Sequence, residues 1–262
     1  MHTVAARRET PALAGVPTRM EPTPYDGSGA RGLRLGDQAP DFEAMTQDGP
    51  LRFHAATGDR WAILFSHPAD FTPVCTTELA AVARLQPEWE RRGVVVVGLS
   101  CDRVAHHRRW IQEINSVGHC KVRFPIVADP DRRIARQYAM LDHQDPSNTD
   151  DAGMPLTVRS VFIIDPRHVI RLIQTYPAAV GRNFDEILRC VDALQLTDRY
   201  PVATPADWAL PKQPNRNVLV HVGISDDEAR ARFGADNVTV VNPYIRYTRL
   251  PYGEAEADSS PP

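Results

Sequence analysis

Residues 67–78 hold the side chains best suited to chemistry, and Cys75 is the strongest nucleophile among them. The apolar run at 61–65 before this segment predicts a buried strand, and apolar residues spaced three to four apart after it predict a helix. Pro73 suits the first turn of that helix, where a missing N–H costs nothing. Cys75 is therefore expected in the first helical turn, where unpaired N–H groups and the helix dipole favour a thiolate. A small buried structural cysteine is the alternative.

Composition excludes several classes of protein. The chain has 262 residues, 42% of them hydrophobic, and a net charge of −3. The weak charge gives no electrostatic case for nucleic acid or a membrane surface as a partner. No run of about 18 apolar residues occurs, so we expect no membrane span. Arginines with little acid near the N-terminus are typical of an organelle transit peptide, but many prolines and no clear amphipathic helix argue against one.

The cysteines indicate a reducing environment. They are Cys75, Cys101, Cys120 and Cys190. None belongs to a C-x-x-C pair, so neither a zinc ribbon nor a dithiol redox motif is predicted. Widely spaced cysteines in a chain of this length do not indicate a disulfide framework, so a cytoplasmic location fits best. Adjacent His106 and His107 diverge by about 100° on a helix, which indicates a solvated helix face rather than a metal site. We expect no metal and no other cofactor.

Alternating strand and helix patterns predict an α/β domain with a mixed central sheet flanked by helices over residues 35–200. The proline-rich residues 1–34 are expected to be a flexible extension. A small unit with two strands and a helix is predicted at 201–250, and a disordered tail at 251–262. The predicted strands lie at 61–66, 94–100, 124–128, 159–166, 169–173, 218–222 and 238–241, and the predicted helices at 73–91, 103–115, 131–140, 184–194 and 225–233.

Helix ends are predicted from side chains that cap or break a helix. Pro87 is expected to kink or divide the helix at 73–91. Asp102 or Ser100 is expected to cap the next helix, and Asn183 the helix at 184–194.

Pro68, Thr72 and Cys75 form the pattern P-x-x-x-T-x-x-C, which resembles the active-site loop of peroxiredoxins. The likeness extends over roughly residues 34–250 and is to the one-cysteine subfamily. Its other matching segments are 65–79, 153–155, 181–189, 203–208 and 244–248. The resemblance implies a thioredoxin-like fold with a small C-terminal α+β dimerisation domain, and a thiol peroxidase that reduces hydrogen peroxide and organic hydroperoxides. Family precedent implies a homodimer, which can assemble into a higher ring.

The resemblance also implies roles for individual residues. Arg159 is the guanidinium beside the Cys75 thiolate, and Pro68 shields the sulfur from water. Thr72 lies one helical turn before Cys75, so its hydroxyl can reach the sulfur or a bound peroxide. Glu78 and Arg182 are expected to pair and to orient the active-site arginine. The ring of His67 either lines the pocket or is structural.

After attack Cys75 becomes a sulfenic acid, which a thiol must reduce. Two-cysteine relatives carry a resolving cysteine in a V-C-P segment, but residues 202–205 here read V-A-T-P. This favours an external reductant such as glutathione or a thioredoxin- or glutaredoxin-like protein. A cycle that uses Cys101, Cys120 or Cys190 as resolving thiol is one alternative. A non-catalytic chaperone or binding protein on the same fold is another.

Overall fold

A computed structural model describes residues 32–209 and 217–249. Almost all of the predicted extension at 1–34, and the predicted tail at 251–262, lie outside the described residues. Contacts group the described chain into a first unit of residues 32–188 and a second unit of residues 189–209 and 217–249. The domain boundary at residue 200 stays a prediction.

Seven strands form the central sheet of the first unit. They are β1 (Glu43–Thr46), β2 (Gly49–Arg52), β3 (Trp61–Ser66), β4 (Val94–Ser100), β5 (Ile126–Ala128), β6 (Arg159–Ile164) and β7 (Ile170–Tyr176). Their order across the sheet is β2-β1-β5-β4-β3-β6-β7. The β3–β4 and β4–β5 pairs are parallel and the others antiparallel, so the predicted mixed sheet is confirmed. β3 and β4 are almost fully buried, as continuous apolar runs predict.

The helices of the first unit follow the predicted pattern with shifted ends. They are α1 (Phe53–Thr57), α2 (Pro73–Arg84), α3 (Gln86–Arg91), α4 (Val104–Gly118) and α5 (Arg133–Gln137), and α6 (Phe184–Arg199) begins in this unit and ends in the second. The predicted helix at 73–91 divides at Leu85, with Pro87 in the first turn of α3, so the predicted break is confirmed. The short α1 had no sequence prediction.

One predicted cap is wrong and one is confirmed. Arg103 occupies the N-cap of α4 and no side chain caps that helix. The Asp102 carboxylate instead accepts hydrogen bonds from the Asp70 N–H and the Ser100 hydroxyl. The Asn183 side chain accepts from the N–H groups of residues 185 and 186, as predicted for the start of α6.

The pairing of β3 with β6 positions the end of β3 beside the start of β6. Phe65 lies opposite Val161 in this antiparallel pair. Beyond the paired residues, the Thr157 hydroxyl donates a hydrogen bond of 2.6 Å to the carbonyl oxygen of His67. The loop that leaves β3 is thereby held next to Arg159, the first residue of β6.

Helices α2 and α4 approach closely at a glycine. A Cβ atom on Gly118 would lie 2.4 Å from the Cβ of Ala80 and 3.0 Å from the sulfur of Cys120. The first distance is shorter than side-chain packing permits, and the second is tight. Glycine is therefore the residue that this helix contact requires.

The second unit is a four-stranded antiparallel sheet with one helix. Its elements are β8 (Val202–Ala203), β9 (Val218–Val220), α7 (Asp226–Phe233), β10 (Val238–Asn242) and β11 (Ile245–Thr248), in the sheet order β10-β11-β9-β8. Trp208 and Phe233 belong to its apolar core. Buried Arg246 on β11 donates hydrogen bonds to the carbonyl oxygens of Ile224 and His221 and to the Asp226 carboxylate. None of the described helices has both the length and the apolar character that a bilayer crossing requires.

Candidate active site

Cys75 is the third residue of α2 and its side chain is fully buried. Thr72 is the N-cap of this helix, and Pro73 lies in its first turn, as the sequence predicts for Pro73. The N–H of Thr76 is the first to bond within the helix, to the carbonyl oxygen of Thr72. The N–H groups of Val74 and Cys75 therefore point out of the helix end, where they favour negative charge.

Arg159 brings a positive charge to the sulfur from the start of β6. Its Nη1 lies 3.3 Å from the sulfur of Cys75 and donates a 2.8 Å hydrogen bond to a carboxylate oxygen of Glu78. Its Nε donates to the carbonyl oxygen of Ala178 at 2.8 Å, and Nη2 donates to the same oxygen. The guanidinium is buried and is held at both edges, so its orientation toward the sulfur is fixed.

Glu78 links Arg159 to a second buried arginine. Its carboxylate accepts hydrogen bonds from the backbone N–H, Nε and Nη2 of Arg182 at 2.7, 3.0 and 2.7 Å. The guanidinium carbon of Arg182 lies 5.2 and 5.4 Å from the ring centroids of Phe65 and Phe184. Burial alone would raise the pKa of Glu78, but the bonds and charge of Arg182 and the charge of Arg159 outweigh it and lower that pKa.

Thr72 and Pro68 lie in the segment between β3 and α2, directly before the helix that carries Cys75. The Thr72 hydroxyl donates a 2.9 Å hydrogen bond to the carbonyl oxygen of Ala69, so its lone pairs are available to accept a hydrogen bond from a bound peroxide. Pro68 is buried. The structure therefore joins Cys75 to Arg159, Arg159 to Glu78 and Glu78 to Arg182, with Thr72 at the N-cap of the helix.

His67 belongs to a buried network that ties this loop to α4. Its Nε2 lies 2.9 Å from one oxygen of Asp70, and Nδ1 of His107 lies 2.7 Å from the other. All three side chains are inaccessible to solvent. Burial would raise the pKa of Asp70, but the hydrogen bonds from His107 and His67 outweigh it and lower that pKa to about 2.

Comparison with known proteins places the chain in a family. The AhpC/TSA family model matches residues 35–173, and the model of the C-terminal domain of 1-Cys peroxiredoxin matches residues 193–235. This chain belongs to the peroxiredoxin family.

Relatives of this peroxiredoxin match nearly the whole described chain. The mitochondrial peroxiredoxin PRX1 of Saccharomyces cerevisiae is 48% identical over 218 residues, which cover 83% of this chain and 81% of the relative. Peroxiredoxin-6 of Gallus gallus is 48% identical, with 84% of this chain and 99% of the relative covered. These relatives and the two family models confirm the predicted one-cysteine subfamily.

Solved structures confirm the fold class. A cysteine-to-serine mutant of Peroxiredoxin 6 from Arenicola marina aligns with a TM-score of 0.77 at 43% identity, over 84% of this chain and 99% of that one. The yeast mitochondrial 1-Cys peroxiredoxin aligns with a TM-score of 0.73 at 47% identity, over 82% and 99%. The peroxiredoxin has a thioredoxin-like fold and is a thiol-dependent peroxidase with an antioxidant function, as predicted.

Sequence reasoning missed three features of the site. His107 is fully buried, so its predicted place on a solvated helix face is wrong. Its spacing from buried Trp110, Ile111 and Ile114 matches one helix face and could have revealed this. The network role of Asp70 and the backbone oxygen of Ala178 that orients Arg159 had no signal in the sequence pattern.

The other three cysteines of the peroxiredoxin lie in surroundings that differ from those of Cys75, and no disulfide joins any of the four. Burial raises the pKa of the Cys101 thiol to about 12. Burial also raises the pKa of Cys120, which is half-buried after the end of α4. Cys190 is buried in α6. A thiol reacts as its thiolate, so Cys101 is poorly suited to attack at neutral pH.

Proposed function

We propose that Cys75 is the catalytic nucleophile of this peroxidase and that Arg159, Thr72 and Pro68 complete its site. The contact of 3.3 Å between Nη1 of Arg159 and the sulfur carries the proposal. A guanidinium and a helix N-terminus at the same sulfur stabilise the thiolate in a buried pocket. Glu78 and Arg182 position Arg159. His67 either lines the pocket or supports the loop that follows β3.

The reaction is an in-line displacement on the peroxide O–O bond. The thiolate of Cys75 attacks the terminal oxygen, an S–O bond forms and the O–O bond breaks with its electron pair on the departing oxygen. Cys75 becomes a sulfenic acid, and the departing oxygen takes a proton from solvent to leave as water or an alcohol. Arg159 and the open N–H groups of Val74 and Cys75 stabilise the charge that grows on the oxygens. No step requires a metal or cofactor.

An external thiol returns Cys75 to its reduced form. The absence of a cysteine from residues 202–205 and the high pKa of Cys101 support this cycle. For the yeast 1-Cys peroxiredoxin, the resolving mechanism uses the glutathione and thioredoxin systems. Glutathione, or a thioredoxin- or glutaredoxin-like protein, is accordingly the reductant proposed here.

One experiment tests the nucleophile and the cycle together. The reduced protein receives one equivalent of hydrogen peroxide, and mass spectrometry with a sulfenic-acid reagent locates the oxidised sulfur. Oxidation of Cys75 alone supports the proposal. Oxidation elsewhere, with Cys75 still a thiol, contradicts the nucleophile, and no oxidation favours the non-catalytic binding or chaperone protein. A disulfide from Cys75 to Cys101, Cys120 or Cys190 contradicts the external reductant.

The assembly is a homodimer, which a higher ring can extend, and its location is the cytoplasm. The match to the 1-Cys C-terminal domain supports the dimer. Four free cysteines support a reducing compartment. Light scattering after gel filtration tests the dimer, where a monomer at micromolar concentration would contradict it. Cell fractionation tests the location. Recovery of the protein with mitochondria, the compartment named for the yeast relative, would contradict a cytoplasmic location.

A further inference from the structure

Phe71 is an exposed aromatic residue in an unfavourable backbone conformation. Its φ is 59°, in the left-handed region that a side chain with a Cβ atom rarely adopts. The side chain is 41% exposed, so burial does not explain the conformation. Phe71 directly precedes Thr72, the N-cap of the helix that carries Cys75. Strained residues concentrate at ligand-binding sites, which makes this exposed ring a candidate contact for a ligand.

The guanidinium of Arg109 lies over this ring, and its N–H groups have no partner among the described residues. Its guanidinium carbon is 5.5 Å from the ring centroid of Phe71. Arg109 is exposed, and within the described residues its side chain forms no hydrogen bond or ion pair. The ring of His106 meets Phe71 edge-on at 6.2 Å. We call Phe71, His106 and Arg109 the aromatic–arginine platform. The planar guanidinium of Arg109, with its five N–H donors, matches the geometry of a carboxylate.

Buried residues next to the platform hold it in place. Asp70, the residue before Phe71, bonds through its side chain to His67 and His107, and its N–H donates to the Asp102 carboxylate at 2.9 Å. Trp110 lies next to Phe71 with ring centroids 6.3 Å apart and is fully buried. A rigid surface loses little entropy on binding a small ligand.

We infer that the aromatic–arginine platform binds the reductant of Cys75, a small thiol that carries carboxylates, of which glutathione is the probe. This inference rests on the proposed one-cysteine cycle. Cys75 is the fourth residue after Phe71, so their α-carbons lie at most about 14 Å apart. A tripeptide thiol spans about 10 Å. A carboxylate on Arg109 therefore holds the ligand beside the segment that leads into Cys75, and attack on the fully buried sulfur requires residues 72–75 to move.

The platform acts in the reduction of the sulfenic acid. The bound thiolate attacks the sulfur of Cys75, an S–S bond forms, and the S–O bond breaks to release hydroxide, which the proton lost by the thiol converts to water. A second thiol then attacks the mixed disulfide, which yields the thiol of Cys75 and the oxidised disulfide of the reductant. The platform orients the first thiol and takes no part in peroxide cleavage.

The test compares reductants of different charge on the same sulfenic acid. Cys75 is oxidised with one equivalent of hydrogen peroxide, and its reduction is then followed by stopped flow with glutathione or with uncharged dithiothreitol. Arg109→Gln should slow reduction by glutathione about fivefold, the size of an exposed ion pair, and leave reduction by dithiothreitol unchanged. Added salt should slow the glutathione reaction of the parent protein and not that of the variant.

The neighbouring arginine supplies the control. Arg108 is also exposed on α4, but its Nε bonds to the carbonyl oxygen of Gln47, and it does not lie over Phe71. Arg108→Gln removes the same charge and should leave both reductions unchanged. Phe71→Leu keeps an apolar side chain without the aromatic face, so it should slow the glutathione reaction selectively.

Several results overturn the inference. Equal rates for glutathione in the parent and Arg109→Gln would do so, as would equal losses with both reductants or the same loss in Arg108→Gln. A change of oligomeric state in Arg109→Gln without selectivity between the reductants would identify the platform as a contact between copies of this chain. Failure of peroxide to form a Cys75 sulfenic acid would instead contradict the proposed function, so the two failures are distinguishable.

Discussion

Nη1 of Arg159 contacts the sulfur of Cys75 and donates to Glu78, while Nε and Nη2 donate to the carbonyl oxygen of Ala178. A lysine at this position could carry the charge but could not reach all of these acceptors, because it lacks the planar fork. Lysine would supply the positive charge, but only arginine fixes its position beside the sulfur.

Replacement of Arg159 by lysine should slow the reaction of Cys75 with hydrogen peroxide about a hundredfold, the usual cost of losing one preorganised donor to a transition-state charge. Stopped-flow fluorescence measures this rate, and circular dichroism checks the fold. Arg171→Lys makes the same change at a half-buried arginine of β7 and should leave the rate unaltered. A rate for Arg159→Lys equal to that of the parent would remove the guanidinium from the mechanism.

At this scale local sequence signals indicated Cys75, the proposed nucleophile, but not its contact with Arg159. Cys75 is marked by local signals, which are a predicted strand before it and Pro73 in the first turn of the helix that carries it. Arg159 is 84 residues away, so no local spacing connects the two, and only the family resemblance indicated their contact. His107 was misjudged because the arginines beside it suggested a solvated face, while the buried Asp70 that binds it lies 37 residues earlier.

At the scale of elements, the pair of histidines around Asp70 connects the active-site loop to α4. The pKa of Asp70 falls from an ordinary value of 3.8 to about 2, because the folded protein stabilises its charged form. A carboxyl whose pKa is lowered by folding contributes stability above its unfolded pKa. That contribution is lost as the pH falls from about 4 to about 2.

Asp70→Asn should therefore lower the free energy of unfolding at pH 7 by about 2 kcal/mol, from a shift of nearly two pKa units. The deficit should narrow as the pH falls below about 4, because Asp70 of the parent protein then becomes protonated. Urea denaturation across this pH range measures both effects. Asp151→Asn, at an exposed carboxylate, should show neither. A deficit that does not change with pH would contradict the lowered pKa of Asp70.

Arg246 joins three segments of the second unit, since it bonds to the carbonyl oxygens of Ile224 and His221 and to Asp226 at the start of α7. Arg246→Met would leave two carbonyl acceptors and one carboxylate without this partner. We expect a loss of about 3 kcal/mol in the stability of this unit. Hydrogen exchange of the β9 and β11 amides measures it, with the exposed Arg230→Met as control. Unchanged protection would show that these bonds are not needed.

Strands and long helices were predictable because continuous apolar runs and three-to-four spacing are strong local signals. The ends of these elements were less predictable. The helix predicted at 131–140 shrinks to Arg133–Gln137, with Arg132 and Ala139 in the left-handed region on either side. Such turns depend on tertiary contacts, here the bond of the Arg132 side chain to the Pro155 carbonyl oxygen.

At the scale of the whole molecule, the reactivity of the four cysteines is graded by their surroundings. A thiol with a pKa of about 12 is ionised in only about one molecule in 10⁵ at pH 7, so Cys101 contributes almost no thiolate. Cys120 follows the end of α4, and Cys190 lies in the interior of α6 with Nη2 of Arg189 3.8 Å from its sulfur, so neither sits in the first turn of a helix as Cys75 does. The catalytic cycle should therefore require one cysteine of the chain.

A variant with Cys101→Ser, Cys120→Ser and Cys190→Ala should keep the peroxidase turnover of the parent with dithiothreitol as reductant. Cys75→Ser should have none. A coupled assay of peroxide consumption measures both, and the melting temperature reports whether the triple variant is folded. A folded triple variant that turns over once and then stops would show that one of these three thiols resolves Cys75.

The close approach of α2 and α4 at Gly118 gives a position far from the chemistry control over the nucleophile. Ala80, which Gly118 faces, is five residues after Cys75 on the same helix, a distance of about 7.5 Å along the helix axis. Any side chain at position 118 would force α2 or the end of α4 to shift. Among sequence variants of this peroxiredoxin, a change from glycine at position 118 is therefore one to classify as damaging to activity, although no substrate atom lies near it.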